Sequence, residues 1–331
     1  MAPKRVRIER ILCPTDFSDF SRRALRRALT LASWFEARVT ALHVVLREPL
    51  VLPGDAYGAY LPATTDLVRA EREKDAKELA RFVEPFPGEG VPIETALAEG
   101  DPSREIPAAA AALPADLVVM GTHGRSGFEH LLLGSVTEKV LRRAPCPVLT
   151  VGNALTPSPP DPLFRRILCA TDLAGGSAGT RDMALSLAEE NLAPVTFLHV
   201  VEGLLGETGP EIYRPIPETA PLRNALLARA SERLHDAAHS DLTFCKVSER
   251  VERGTAWREI LRVAGETSAD IIVMGAHASG ALGRFFLGST ANQVVRHAVC
   301  PVLVVREMQP RNDSDVRRTA EVALTGRSAP E

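Results

Sequence analysis

The sequence predicts an α/β protein of two tandem domains, each with a five-stranded parallel sheet wound doubly by helices on both faces. Two observations lead to this prediction. Several segments recur in the same order along the chain, and within each copy short apolar runs alternate with segments of helical periodicity. Apolar strands that alternate with helices are typical of parallel sheets with two buried faces. A length of 331 residues leaves room for two domains, each with its own core.

The repeat is visible at several points with nearly constant spacing. RILCPTDFS at Arg10 recurs 156 residues later as RILCATDLA at Arg166. ADLVVMGTH at Ala115 recurs 154 residues later as ADIIVMGAH at Ala269, and PCPVLTV recurs as VCPVLVV at the same offset. The chain is therefore an internal duplication with a net deletion of two residues inside the second copy.

The repeat also sets the expected domain boundaries. We expect one domain over residues 1–152 and a second over residues 165–306. Residues 153–164, which are rich in proline, read as a stiff linker between them. Residues 307–331 are polar and low in aromatic side chains, which predicts a disordered tail.

The elements of the first copy follow from the period of its apolar residues. Residues 18–37 place Phe20, Ala24, Leu25, Ala28, Leu31 and Ala32 on one helical face. Two further helices are expected over residues 65–84 and 102–113, and a last one from Ser135. The five expected strands cover residues 7–14, 38–46, 91–100, 115–121 and 146–151.

Composition limits the classes of partner and the compartment. The formal net charge of −3 implies no strong attraction to nucleic acid or to a membrane surface. The apolar stretches are too short or too interrupted for a signal peptide or a membrane-spanning helix. Five cysteines without metal-ligand spacing suggest reduced thiols and a cytoplasmic location, with Cys13 and Cys169, and Cys146 and Cys300, as small core residues at equivalent positions.

A glycine-rich stretch, GTHGRSGFEHLLLGS, follows the fourth expected strand of the first copy. Gly121 ends that strand, Gly124 lies in the loop, and Gly134 and Ser135 stand where the next helix begins. Ligands of such sheets bind beyond the carboxyl ends of the strands, and a helix start offers free N–H groups to an anion. The spacing therefore suits a cradle for a polyphosphate.

Two other interpretations of the same stretch stay open. The sequence SVTE fits a capping box, in which Ser135 caps the helix and Glu138 reaches back, and this alone would account for the serine. Glycines in loops next to strands are also common without any ligand. The second copy keeps Gly275, Gly288 and Ser289 but has Ala278 in place of the middle glycine.

Other polar residues allow both a functional and a structural reading. Asp16 closes the first strand and recurs as Asp172, either as a helix-start cap or as a ligand contact. His43 and His199 lie within strands, where a hydrogen-bonded structural histidine is expected rather than a metal ligand. The sequence contains no Gly-Lys pair, so no Walker A loop is present, and the glycine-rich stretch AGGSAG at Ala174 is expected to be a flexible helix entry.

Taken together, Gly-x2-Gly-x9-Gly-Ser, the opening ILCPTDFS, the LHV strand and the closing PCPVLTV resemble the universal stress protein family. The resemblance covers both copies and leaves out only the linker and the tail. It implies Rossmann-like, adenine nucleotide alpha hydrolase-like domains that bind ATP between the ends of the first and fourth strands. It also implies that the two copies pack together as an intramolecular pseudo-dimer; a homodimer and the protein partner stay open.

Carried over position by position, the resemblance implies a nucleotide site in each copy. Pro14, Thr15 and Asp16 would lie at the adenosine end, the backbone of Val44 would meet the adenine, and Met120 would pack nearby. Around the ribose and phosphates would lie Gly121, His123, Gly124, Gly134, Ser135 and Val136. The matching positions of the second copy are Ala170, Thr171, Asp172, Val200, Met274, Gly275, His277, Gly288, Ser289 and Thr290. Because Ala170 and Ala278 depart from the pattern, the first copy is expected to bind ATP more tightly.

Three functions follow from this reading. The first is an ATP-binding module of the stress response, with no catalytic residues assigned because no general base stands beside a set of metal ligands. The second is a slow ATPase in which Asp16 or Asp172 helps to hold Mg²⁺. The third is an interaction scaffold that binds no nucleotide and whose glycines only shape a loop.

Overall fold

The computed structural model describes residues 6–46, 65–86, 90–124, 133–152, 164–173, 177–202, 220–238, 245–276 and 287–306. The expected linker, apart from Phe164, and the expected tail lie outside these residues, so the predictions made for them stay predictions. Within the described ranges, no helix combines the length and the apolar character that crossing a membrane requires.

Both copies fold into alternating strands and helices, as the sequence predicts. The first unit contains β1 (Arg10–Thr15), α1 (Asp19–Phe35), β2 (Arg38–Val45), α2 (Thr65–Val83), β3 (Ile93–Glu99), α3 (Pro102–Ala112), β4 (Leu117–Gly121), α4 (Ser135–Arg143) and β5 (Val148–Val151). The second unit contains β6 (Ile167–Ala170), α5 (Ala178–Asn191), β7 (Val195–Val201), α6 (Ala220–Ala238), β8 (Val247–Arg253), α7 (Ala256–Glu266), β9 (Ile271–Gly275), α8 (Ser289–His297) and β10 (Val302–Val305). Every element expected of the first copy forms.

The strands of both units join in one ten-stranded sheet with the order β3-β2-β1-β4-β5-β10-β9-β6-β7-β8. Within each unit the strands are parallel, which confirms the doubly wound fold. The units meet where β5 pairs antiparallel with β10, with Leu149 opposite Leu303 and Val148 opposite Val304. Because Leu149 and Leu303 are equivalent residues of the two copies, a pseudo-two-fold axis passes between them. The expected packing of the two copies as an intramolecular pseudo-dimer is therefore present, and it runs through the last strand of each unit.

Helices cover the two faces of the sheet in two layers. Buried side chains of α1, α2, α5 and α6 form one apolar cluster, and those of α3, α4, α7 and α8 form the other. Each cluster includes residues of both units, so the core continues across the β5–β10 pair. The two units therefore share one continuous hydrophobic core on each face of the sheet.

One expected core residue of α1 lies elsewhere. The face of α1 buries Ala24, Leu25 and the other expected positions, but Phe20 is only half-buried, and Ser21 occupies the buried position in its place. The Phe20 ring lies 5.0 Å from the ring of His123, at the end of β4. The prediction for Phe20 is wrong because the first turn of α1 overhangs the carboxyl edge of the sheet, where no core is left to fill.

Helices α4 and α8 are linked across the two units by charged side chains. Glu138 accepts from Arg142 of its own helix, and its other carboxylate oxygen lies 3.4 Å from Nη2 of Arg296 in α8. Arg306, which follows β10, donates to the carbonyl of Leu141 at 2.7 Å. These contacts add polar links between the two units beside the apolar β5–β10 pair.

Candidate functional site

The first unit opens a crevice between β1 and β4 at the carboxyl edge of the sheet. β1 pairs with β2 along its whole length, but it pairs with β4 only at Ile11 and Leu12. Pro14 follows in the same strand and has no N–H to continue the ladder. In a sheet of this order the chain reverses its direction of winding between β1 and β4, and ligands of such folds bind at that point.

The turn that leaves β1 is held in an uncommon conformation. Phe17 has a φ of 67°, which a side chain with a Cβ rarely adopts. Its N–H donates to Oγ1 of Thr15 at 3.0 Å, while Nδ1 of His43 lies 2.8 Å from the Thr15 carbonyl oxygen. The second unit repeats the arrangement with Leu173, Thr171 and His199. Both strand histidines are therefore structural partners of a strained turn, as the sequence predicts.

Asp16 sits within this turn and organises the start of α1. Its carboxylate accepts from the backbone N–H and the hydroxyl of Ser18, at 3.1 and 2.6 Å, and from the hydroxyl of Ser21. Ser18, not Asp16, is the N-cap of α1. The prediction that Asp16 caps α1 is thus wrong in detail, since Asp16 instead holds Ser18, which is the N-cap.

Each glycine of the predicted cradle lies against other atoms of the protein. A Cβ added to Gly124 would stand 2.7 Å from Oδ2 of Asp16, and one added to Gly121 would stand 2.8 Å from Cβ of Phe20. At Gly134 the nearest atom would be the Thr122 carbonyl oxygen, at 3.0 Å. None of the three has a positive φ. Glycine is needed at these three positions because other atoms of the protein approach the backbone closely, and not because the backbone is left-handed.

Helix α4 begins beside the end of β4 without a side-chain cap. Gly134 is its N-cap, and its N–H donates to the Thr122 carbonyl at 2.8 Å. The hydroxyl of Thr137 donates to the Gly121 carbonyl at 2.9 Å, which fixes the first turn to the strand. Ser135 is the first residue of the helix, so the capping-box interpretation is wrong. No side chain among the described residues caps the first-turn N–H groups of α4, and these groups form the positive end of the helix dipole.

The remaining predicted residues of the first site line the same edge. Val44, near the end of β2, and Met120, in β4, are buried. His123 is half-buried, and its Nδ1 lies 2.9 Å from Oγ1 of Thr122. Its Nε2 makes no hydrogen bond to another described residue, so this nitrogen can contact a ligand. Val136 is half-buried in the first turn of α4. The structure thus brings the turn after β1, the end of β4 and the start of α4 together.

Sequence reasoning missed the hydroxyl groups that hold these pieces in place. Ser18 and Ser21 orient Asp16, the Thr137 hydroxyl joins the first turn of α4 to the Gly121 carbonyl, and the Thr122 hydroxyl lies 2.9 Å from Nδ1 of His123. The spacing Asp-x-Ser-x-x-Ser was a usable signal, because it combines an aspartate turn with a helix N-cap. No comparable signal marks the two threonines.

The matching edge of the second unit differs in two respects. β6 pairs with β9 as far as Ala170 and Met274, so the strands stay joined where β1 and β4 separate. Ala276 and Ala291 stand where the first unit has Thr122 and Thr137, so the hydroxyl contacts are absent. The Gly288 N–H still donates to the Ala276 carbonyl at 2.9 Å. The other described positions (Thr171, Asp172, Val200, Gly275, Ser289 and Thr290) occupy equivalent places, while His277 and Ala278 lie outside the described residues.

The cysteines take no part in either edge. Cys13 and Cys169 are fully buried in the core, and burial raises the pKa of both thiols to about 12. Cys146 is buried as well, and burial raises the pKa of the half-buried Cys300 to about 12. These side chains are core residues, as expected. Among the described residues no group of histidine, cysteine, aspartate or glutamate side chains is arranged to hold a metal ion.

Comparison with known proteins agrees with this architecture. The model of the universal stress protein family matches residues 7–152 and again residues 163–306. A universal stress protein of Methanocaldococcus jannaschii is 40% identical over 144 residues, which are 43% of this chain and 81% of the relative. One of Mycolicibacterium smegmatis is 27% identical over 300 residues, or 89% of this chain and 96% of its own.

A solved structure extends the similarity to the whole two-unit arrangement. The crystal structure of a universal stress protein from Archaeoglobus fulgidus aligns with a TM-score of 0.59 and 26% identity, covering 90% of this chain and 96% of its own. The family model covers both units, and the tandem arrangement recurs in a relative of similar length. The chain therefore belongs to the universal stress protein family.

Proposed function

We propose that this protein is a cytoplasmic stress-response module that binds an adenine nucleotide, ATP above all, at the β1–β4 crevice of its first unit. The observation that carries the proposal is the start of α4, a glycine N-cap without a side-chain cap, placed beside strands that Pro14 holds apart. A helix N-terminus of this kind suits phosphate, because its N–H groups and its dipole both favour an anion.

The charges of the site suggest how the nucleotide is oriented. The phosphates belong at the start of α4, near Gly134, Ser135 and Val136. Asp16 is an acceptor held rigidly by Ser18 and Ser21, and a carboxylate repels phosphate unless a cation stands between them. Asp16 with Pro14 therefore belongs at the nucleoside end of the ligand, or beside a Mg²⁺ that the phosphates bring. The second arrangement is what a slow ATPase would need.

One observation favours the alternative of a nucleotide-free scaffold. Gly121, Gly124 and Gly134 are each required by neighbouring protein atoms, so a ligand is not needed to account for any of them. The two functions differ in a measurable way, because the scaffold binds no nucleotide at any concentration. The test therefore has to act on the helix start without disturbing the glycines.

Ser135→Glu is such a change, since Ser135 is exposed and stands first in α4. A glutamate there suits the helix dipole and leaves folding intact, but it puts a negative charge where the phosphates would bind. We expect the affinity for ATP, measured by titration calorimetry, to fall by about tenfold or more, which corresponds to about 1.4 kcal/mol. The matched control is Ser289→Glu at the same position of the second unit.

The outcomes separate the functions. Weaker binding in Ser135→Glu alone supports the proposed site, whereas equal binding in all three proteins contradicts it. A wild-type protein that binds no ATP, and that releases no nucleotide detectable by mass spectrometry on denaturation, is the result expected of a scaffold. cAMP, with which another universal stress protein has been crystallised, serves as the comparison nucleotide.

A further inference from the structure

Helix α1 carries four arginines in its second and third turns, and three of them face other elements. Arg22 lies over the ring of Phe82 at 4.8 Å, and Arg26 lies 5.9 Å from that of Phe86, both on the side of α2. Arg27 lies 5.6 Å from the ring of Phe164, at the entrance to the second unit. These three arginines pack against the body of the protein.

Arg23 faces the candidate site instead. Its guanidinium carbon lies 4.6 Å from the ring of Phe20, one helical turn earlier, so the side chain runs back toward the start of α1. The same Phe20 ring lies 5.0 Å from His123, and Cβ of Phe20 borders Gly121. Arg23 and His123 therefore contact one aromatic ring at the carboxyl edge of β4.

The guanidinium of Arg23 has a donor that no described residue uses. Its Nε is shielded from solvent and makes no hydrogen bond to any residue in the described ranges. A shielded donor of a charged group without an acceptor is unfavourable, and an anion bound beside it would remove that cost. The side chain as a whole is half-buried, so a ligand can reach it.

The second unit lacks this arrangement altogether. The residues equivalent to Phe20 and Arg23 are Gly176 and Gly179. The turn of Thr171, the start of α8 and the helix α5 form without them. The Phe20–Arg23 pair is therefore not needed for the fold, and it distinguishes the edge of the first unit from that of the second.

We propose that Arg23 contacts the polyphosphate of a nucleotide at the first unit and gives that site a preference for ATP and ADP over AMP. The proposal rests on the proposed function of the same crevice. A guanidinium remains charged at all physiological pH values, and its planar set of donors matches phosphate oxygens. Phe20 holds it by a stacking contact, and His123, which contacts the same ring, offers a second donor. On this proposal, the single phosphate of AMP binds at the start of α4 and makes no contact with Arg23.

The test compares Arg23→Gln with Arg22→Gln in the full chain by calorimetric titration of ATP, ADP and AMP. Arg22 is the matched control, since it is the neighbouring arginine, also stacks on a phenylalanine, and lies on the α2 side of the helix. We expect Arg23→Gln to lower the ratio of ATP to AMP affinity by about tenfold, the size of one charged hydrogen bond. AMP binding should be unchanged, and Arg22→Gln should match the wild type.

A further variant and two contrary outcomes complete the test. Arg23→Lys, which retains the charge without the planar fork, should recover part of the ATP preference, and it replaces Arg23→Gln if thermal unfolding shows the latter to be misfolded. An unchanged ATP-to-AMP ratio in Arg23→Gln, or an equal loss in Arg22→Gln, overturns this inference and leaves nucleotide binding standing. A wild-type protein that binds none of the three nucleotides overturns both proposals.

Discussion

Gly124 shows how a single residue links the fold to the candidate site. A methyl group there would meet Oδ2 of Asp16, whose other oxygen is held by Ser18 and Ser21. We expect Gly124→Ala to force either the carboxylate or the loop to move and to cost about 1–3 kcal/mol of unfolding free energy, as overpacking does. Differential scanning calorimetry measures the change, and ATP affinity should fall with it.

Gly179→Ala is the control for this prediction. Gly179 lies within α5, and a methyl group added there has no atom within 4 Å. Alanine favours a helix interior over glycine by about 1 kcal/mol, and Gly179 lies in the first turn of α5, so this variant should be at least as stable as the wild type. If Gly124→Ala unfolds at the wild-type temperature while binding ATP normally, the contact with Asp16 has no energetic importance.

The buried thiols of Cys13 and Cys169 predict a loss of stability in alkali. Burial raises the pKa of each from 9.0 to about 12, so between these values the folded protein binds more protons than the unfolded chain. Stability that is complete below pH 9 should therefore decline as the pH rises toward 12. Circular dichroism melts across this range should show a shallower decline for the double variant Cys13→Ala, Cys169→Ala. Equal slopes for the two proteins would assign the alkaline loss to other groups.

Residue roles were the part of the site that sequence reasoning resolved least well. Phe20 has the spacing of a core residue, and only the position of the helix start shows that it overhangs the sheet edge. Ser135 and Glu138 have capping-box spacing, yet the N-cap of α4 is one residue earlier, at Gly134, and Ser135 is the first residue of the helix. In both cases the residue spacing was read correctly. The role of each residue, however, depends on where the helix begins, and the spacing of apolar residues does not determine that position.

At the scale of elements, the sequence predicts the strands and helices well because their apolar periods are long and unbroken. The sequence does not predict the crevice, because the crevice depends on how many residues of β1 and β4 are paired. The motifs ILCPTD and ILCATD differ at one position, yet β1 leaves β4 after Leu12 while β6 stays with β9 through Ala170. A proline without an amide hydrogen accounts for that difference. The sequence shows that Ala170 departs from the family pattern, but only the structure shows that β6 stays paired with β9 there.

The contact between α4 and α8 predicts a stabilising substitution. Glu138 serves both Arg142 and Arg296, whereas the position equivalent to Glu138 in α8 is Asn292. Nε of Arg142 and Nε of Arg296 are each shielded from solvent and make no hydrogen bond within the described part of the chain. Asn292→Glu would supply a second carboxylate four residues before Arg296 and should raise the unfolding free energy by about 0.5–1 kcal/mol, the range of a partly exposed ion pair.

The measurement is a set of thermal melts that includes Glu138→Gln. Glu138→Gln should lower the melting temperature, because two arginines then face each other without a carboxylate. Asn292→Glu should raise it by about 2–4 °C per kcal/mol for a chain of this size. Asn292→Glu should also offset the loss caused by Glu138→Gln when the two are combined. An Asn292→Glu protein that melts below the wild type would show that the cluster does not need a second negative charge.

At the scale of the whole molecule, the duplication closes a sheet edge that each unit would otherwise expose. β5 and β10 are each fully buried, and the pairing register is symmetrical about Leu149 and Leu303. An unpaired apolar edge strand is a template for association. The covalent link between the copies thus supplies each unit with its partner at every protein concentration. It also allows the two sites to diverge, which a dimer of identical chains does not.

The asymmetry of the charged contacts predicts how the units behave when they are expressed apart. The first unit, residues 1–152, can pair with its own copy through β5 in the observed register, and each Glu138 would then face an Arg142 of either chain. The second unit, residues 163–306, would bring two copies of Arg296 together with Asn292 and no carboxylate from either helix. Light scattering after size exclusion should therefore find a dimer of the first unit and weaker self-association of the second. Mixing the two should give a one-to-one complex, and Asn292→Glu should restore self-pairing of the second unit. Equal association of both fragments, or a first unit that stays monomeric at high concentration, would show that these side chains do not determine which copies pair.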